Sequence, residues 1–201
     1  MSRITRVMVL AASVVLATSS VFAAAPPATA VPTNKVDDYL SALWTTVLET
    51  PSAQNPFGAG GDEYECLDLG GTVAPFAPVS ADSCTVKPGT KLFIVAHSVE
   101  CSTFEGNGTT EAELRACAIA GDPDSDYTVT VDGKAVPVVE AETPLLDIVL
   151  PDDNIFGEPG GSEGLSVGHG WVALLHPLTP GSHTILIDES ITTTIIVTPH
   201  R

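Results

Sequence analysis

Tyr127-Thr128-Val129-Thr130-Val131-Asp132-Gly133-Lys134-Ala135-Val136-Pro137-Val138-Val139 contains two short β-rich runs, Tyr127 to Val131 and Ala135 to Val139. They meet at Asp132-Gly133, a dipeptide that favours a hairpin because both residues tolerate positive φ. The same composition recurs along the chain. Thr72 to Ala77, Thr90 to His97, Leu145 to Leu150, Trp171 to Leu175, His183 to Ile187 and Ile191 to Thr198 read as strands, and Pro180-Gly181 turns the chain before His183. Strands at this spacing, with few helices between them, predict a mainly β fold, an antiparallel β-sandwich or jelly roll. A parallel α/β sheet would need crossover helices that the sequence does not supply.

Two helices are expected beside the strands. From Asn34 to Glu49, the residues Val36, Tyr39, Leu40, Leu43, Trp44, Val47 and Leu48 form a continuous apolar stripe at helical spacing. Asp37, Asp38, Ser41 and Thr45 then face outward, Thr33 or Asn34 caps the start, and Pro51 stops the helix. The stripe places this N-terminal amphipathic helix over a sheet, with Trp44 buried. Its polar face is acidic, which argues against a membrane-surface helix. The short second helix runs from Thr110 to Ala120, where Thr110 and Glu113 have the spacing of a capping box. The stretch from Gly157 to Gly170 is the longest glycine-rich segment and reads as a mobile or binding loop.

Residues 1 to 30 read as a signal peptide. Arg3 and Arg6 precede an apolar run from Val7 to Ala17, and small-x-small sites end at Ala23 and Ala30. Cleavage after Ala30 leaves 201 − 30 = 171 residues, a single secreted domain from Val31 to Arg201. The chain carries 8 basic and 25 acidic residues, net −17, and loss of Arg3 and Arg6 brings this to −19. Such a surface excludes nucleic acid as a partner and disfavours anionic membranes. No membrane insertion is expected after the signal is removed, because the apolar run falls short of the roughly 20 residues of a spanning helix. Four cysteines in an exported chain point to disulfides, and short loops favour Cys66 with Cys84 and Cys101 with Cys117.

Candidate site residues are sparse. Asp122, Asp124 and Asp126 alternate as at the start of a calcium loop, but an EF-hand would need glycine at Tyr127 and glutamate at Gly133. A low-affinity calcium site is the one cofactor they suggest. Asp152, Asp153 and Asn154 follow Pro151 at a strand end and, with His169, form a possible binding loop. His97, His169, His176 and His183 are too scattered to write a zinc motif. Gly160-Gly161-Ser162-Glu163-Gly164 and Gly164-Leu165-Ser166-Val167-Gly168 both match G-x-S-x-G, but lack the strand–turn–helix context of a nucleophile elbow.

Several segments together resemble a family of secreted bacterial proteins of unknown function. They are Trp44 with Pro51 and Asn55-Pro56; Cys84-Thr85-Val86 with Pro88-Gly89-Thr90-Lys91-Leu92-Phe93; Glu100-Cys101-Ser102; Leu150-Pro151-Asp152-Asp153-Asn154-Ile155-Phe156-Gly157; and Pro177-Leu178-Thr179-Pro180-Gly181-Ser182-His183-Thr184-Ile185. The resemblance implies a secreted β domain and carries no activity and no catalytic residue. The function expected is therefore that of a non-catalytic extracellular binding or surface module with an unknown ligand. The alternative is a secreted enzyme acting on polysaccharide or another extracellular polymer, with Asp152, Asp153 and His169 in its site.

Overall fold

The computed structural model describes residues 33–57, 66–75, 83–122 and 126–199, all within one compact unit, Val31–Arg201. The expected signal segment lies outside the described residues. Helix α1 (Thr33–Glu49) is followed by a 3-10 turn, Ser52–Gln54, and by strands β1 (Leu67–Asp68), β2 (Thr72–Ala74), β3 (Ser83–Val86) and β4 (Lys91–Ser102). Helix α2 (Glu111–Gly121) precedes β5 (Val129–Val131), β6 (Lys134–Val136), β7 (Val139–Glu142), β8 (Leu146–Val149), β9 (Glu163–Leu175), β10 (Gly181–Ile187) and β11 (Ile191–Val197). The protein is thus mainly β, with two sheets and two helices among the described residues.

A six-stranded sheet runs β1-β2-β4-β9-β7, with β8 also paired to β9, and a five-stranded sheet runs β3-β11-β10-β5-β6. Most pairs are antiparallel, as expected, but β2 pairs with β4 and β3 pairs with β11 in parallel. These exceptions arise because β3, which lies between β2 and β4 in the chain, joins the other sheet. Pro137 divides the run expected as one strand from Ala135 to Val139. Lacking an N–H, it cannot continue a ladder, so β6 stays in the five-stranded sheet while β7 enters the six-stranded one. The strand expected over Thr72 to Ala77 is described only as far as Ala74, and 76–80 lie outside the described residues.

The largest departure is β9. The segment expected as the loop Gly157 to Gly170 is extended from Glu163 onward, and β9 is the central partner of β4, β7 and β8. Its glycines sit at alternate positions. A Cβ on Gly168 would lie 2.4 Å from the Trp44 ring, one on Gly164 2.4 Å from the Phe104 ring, and one on Gly170 2.7 Å from the Ser98 side chain. Glycine here makes room for packing; it does not loosen the chain.

Alternation also divides the core. Phe93 and Val172 face α1, where they join Val36, Leu40, Leu43, Trp44, Val47 and Leu48 in one cluster. Leu92, Ile94, Ala173 and Leu175 point the other way and share a cluster with Cys84, Ile185, Ile195 and Val197 of the five-stranded sheet. Beyond these, Cys101 and Val167 pack under Leu114 and Ala118 of α2. The stripe of α1 is buried, and Trp44 is 7% exposed with Nε1 donating to Ser98 Oγ at 2.9 Å. Asp37, expected to face outward, is half-buried and accepts the Glu142 N–H at 3.1 Å, pinning α1 to β7.

Both disulfides join sequence neighbours. Cys66–Cys84 ties the segment before β1 to β3, and Cys101–Cys117 ties β4 to α2, with Cα separations of 5.4 and 6.1 Å. Each closes a loop short enough to stabilise the fold by about 3 kcal/mol on the chain-entropy estimate. The outward face of the five-stranded sheet carries three cross-strand rows: Ser83–Thr194–Thr184, Thr85–Ile196–Ser182 and Thr192–Leu186–Thr130.

Candidate functional site

A polar seam lies where α2 ends and the five-stranded sheet begins. The pairing of β4 with β9 slips between Val95 and His97, a bulge that brings His97 opposite Trp171 and Val99 opposite His169. Along the other edge of β9, β7 sets Glu140 opposite Trp171 and Glu142 opposite His169. Helix α2 comes down on this face so closely that a Cβ on Gly121 would lie 2.8 Å from Val99. Its capping residue, Asp122, is thereby pressed into the seam.

The resulting geometry is a chain of polar groups running from the interior to the surface. Asp122 Oδ2 lies 3.0 Å from His169 Nδ1, and His169 Nε2 lies 3.0 Å from Glu140 Oε1. The Asp122 side chain is 0% and that of His169 4% exposed, whereas that of Glu140 is 62% exposed. Tyr127 donates its hydroxyl to Asp122 Oδ1 at 3.1 Å, so both oxygens of this buried carboxylate are engaged. His97 stacks on Tyr127 at 5.1 Å with its Nε2 3.8 Å from Asp122 Oδ1, and Tyr127 lies 6.5 Å from Trp171. The indole N–H of Trp171 is buried without a hydrogen-bond partner. The backbone carbonyl of His169 accepts from Ser98 Oγ at 2.8 Å, which couples the seam to Trp44 on the opposite face.

A second titratable group stands on that opposite face. Glu100 pairs with Gly168 in register and accepts the Ser166 hydroxyl at 2.5 Å. Burial pushes its carboxyl up to about 7; the Ser166 bond opposes the rise and nearby Glu105 adds to it. The Ser102 hydroxyl is close enough to Glu100 to oppose the rise slightly, yet it is fully buried and lacks a properly formed hydrogen bond.

The structure brings together His97, Asp122 and His169, which the sequence left scattered. Asp122 turns inward, its oxygens bonded to His169 and Tyr127, and Asp126 is exposed. Asp124 lies outside the described residues. Among the described residues no group of three or more His, Cys, Asp or Glu side chains is placed to hold a metal ion.

The expected binding loop is divided. Asn154 is buried and spends its side chain on its own turn, donating to the Pro151 and Glu158 carbonyls and accepting from the Phe156 and Glu158 N–H groups. Asp153 accepts from Ala53 N–H at 3.3 Å, and Asp152 lies against Gly160, while His169 is held by Asp122 and Glu140. His176 is exposed, and His183 pairs with Asp132 at 2.7 Å beside the β5–β6 turn. The hydrogen bond to Asp132, then one to the Thr179 carbonyl, raises the pKa of His183. Of the two G-x-S-x-G serines, Ser162 donates to the Pro159 carbonyl in a turn, and Ser166 is mid-strand. Neither stands on a strand-to-helix elbow.

Comparison with protein-family models, with curated proteins and with solved structures returns no match.

Proposed function

We propose that the protein is an exported, disulfide-stapled β-sandwich, its two sheets enclosing one core, which acts as a non-catalytic extracellular binding or surface module. On this reading residues 1 to 30 are the signal peptide and Val31 to Arg201 the secreted domain. The paired cysteines and the absence of a helix long and apolar enough to cross a membrane among the described residues are consistent with it.

The observation that carries the binding reading is the mutual satisfaction of the seam. Both Asp122 oxygens and both His169 nitrogens are spent on protein groups. A general base or activated nucleophile needs a free valence toward its substrate. What stays open is suited to contact: the second oxygen of Glu140, and the half-exposed ring of His97 beside Trp171. A screen of neutral sugars and small ammonium ions, followed by NMR of the histidine and indole resonances, tests this. Shifts confined to His97, His169 and Trp171, and lost in Glu140→Gln, support the reading; shifts clustered around Glu100 instead would move the site to the opposite face.

A secreted enzyme acting on polysaccharide remains a second reading because of one group, Glu100. A buried carboxyl that keeps its proton to about pH 7 is equipped to be a general acid. Hydrolysis of a polysaccharide panel by the parent and by Glu100→Gln decides it: activity lost in the variant would establish the enzyme, and none in either would dismiss it.

A further inference from the structure

We propose that Asn107 is an attachment site for an N-linked oligosaccharide. Of the chain's asparagines, Asn34, Asn55, Asn107 and Asn154, it is the one followed two positions later by a hydroxyl residue, in Asn107-Gly108-Thr109. That triplet is the acceptor motif of asparagine glycosylation, a modification of surface loops in exported chains. Glu105 stands two residues before Asn107, so the longer acceptor form that begins with an acidic residue is present as well. Residues 105 to 110 form a turn between β4 and α2, exposed throughout except for the half-buried Gly108. The turn lies inside the loop closed by Cys101–Cys117.

The structure divides the Asn107 side chain into a used half and an idle one. Its Oδ1 accepts the Ser102 N–H at 3.0 Å, and because that partner is a donor the oxygen must face it and Nδ2 must point away. Among the described residues, no protein hydrogen bond holds Nδ2. An aspartate would accept from Ser102 equally well, in a chain that carries 25 Asp and Glu residues, so the turn does not explain the amide. The neighbours do have structural duties: a Cβ on Gly108 would lie 2.6 Å from Glu113 Cβ, and the Thr109 N–H and hydroxyl donate to Glu113 Oε2 at 2.8 and 3.1 Å. Asn55 and Asn154 show the contrast, since both are buried and donate through Nδ2 to backbone carbonyls.

Glycosylation needs the idle half alone. Nδ2 attacks the anomeric carbon of a lipid-diphosphate-linked oligosaccharide, supplied with its transferase by the exporting cell. The bond from Nδ2 to that carbon forms, the bond from the carbon to the phosphate oxygen breaks, one amide proton is lost, and lipid diphosphate departs. Oδ1 keeps its bond to Ser102, so the product fits the same turn. Helix α2, 11 residues long, sets this turn roughly 16 Å from Asp122, which roots the glycan outside the seam. The proposal rests on the exported reading of the chain and not on the seam.

The test is peptide mapping of the protein isolated from the cells that produce it, after reduction and digestion with trypsin. Cleavage after Lys91 and after Arg115 isolates Leu92 to Arg115, the peptide that carries the turn. An added oligosaccharide mass on that peptide is expected, placed on Asn107 by electron-transfer fragmentation. Thr109→Ala, which keeps Asn107 but removes the hydroxyl of the motif, should abolish the added mass, and Thr109→Ser should retain it. Asn107→Asp should also lose it while preserving the bond from Ser102. A protein freed of its signal segment but with a bare Leu92 to Arg115 peptide overturns the proposal, as does an oligosaccharide that persists in Thr109→Ala. Unglycosylated aspartate at position 107 of the parent overturns it in favour of spontaneous deamidation at Asn107-Gly108. A chain kept inside the cell with residues 1 to 30 attached overturns the exported reading, and this proposal with it.

Discussion

The two faces of β9 are built by opposite rules. Toward α1 it presents Gly164, Ser166, Gly168 and Gly170, and the neighbouring elements fill the space with Phe104, Glu100, Trp44 and Ser98. Toward α2 and the second core it presents Leu165, Val167, His169 and Trp171, side chains that do the filling themselves. One strand therefore serves as socket on one side and plug on the other. The small face receives an apolar helix, and the large face builds the polar seam.

The largest effect should come from emptying the socket. Trp44→Ala removes the ring that occupies the space over Gly168 and leaves Ser98 without its donor, and should cost about 3 to 5 kcal/mol in urea unfolding. On the plug side, His169→Leu strands the Asp122 carboxylate with Tyr127 as its remaining close donor. Removing a hydrogen-bonding partner from this buried carboxyl group should cost about 3 kcal/mol, measurable by the same titration. A cost within about 1 kcal/mol would mean that water reaches Asp122 and that the seam is open.

Glu100 sharpens the comparison through pH. Its folded pKa, about 7, lies above the ordinary 4.5, so the folded state holds the proton more tightly than the unfolded one. The stability from this group is fully present below about pH 4.5 and is lost as pH rises to about 7, a decline of roughly 3 kcal/mol. Glu100→Gln should abolish that decline and leave the variant more stable than the parent at about pH 8, as read from chemical unfolding across the range. Gly168→Ala should cost about 2 kcal/mol by crowding the indole. In the Trp44→Ala background the same change should cost almost nothing, which a double-mutant cycle measures directly. Smallest of all, Glu140→Gln should change stability by less than about 1 kcal/mol, because its carboxylate is largely exposed.

Local features were legible in the sequence because their causes are local. The α1 stripe needs only helical spacing. The α2 capping box closes as expected, with the Glu113 carboxylate accepting the Thr110 N–H at 3.0 Å and Thr110 Oγ1 accepting the Glu113 N–H at 3.3 Å. Asp132 and Gly133 turn with φ of 50° and 74°, and both disulfides join sequence neighbours. What was illegible depends on partners far along the chain. Glycine at alternate positions of β9 is indistinguishable from a flexible loop until Trp44, Phe104 and Ser98 are known to lie above it. The seam was hidden for the same reason: His97, Asp122 and His169 meet only through the β4 bulge and the descent of α2. Glu100 had no sequence signal at all, because its protonation is set by the burial around it.

The parallel pairing of β3 with β11 also governs the order of assembly. Ser83 pairs with Thr194, so β3 has no sheet partner until residues more than a hundred positions later have been made. At roughly 5 to 20 residues per second that interval is on the order of ten seconds. Within that interval the hairpin β5–β6 can close locally, and β10–β11 closes once β11 is made, so β3 docks along an edge formed after it. Cys84 lies on β3, and its bond to Cys66 needs none of those later residues. That disulfide can therefore act as a tether, holding a strand whose partner does not yet exist. Removing it should slow the arrival of β3 more than it weakens the finished sheet.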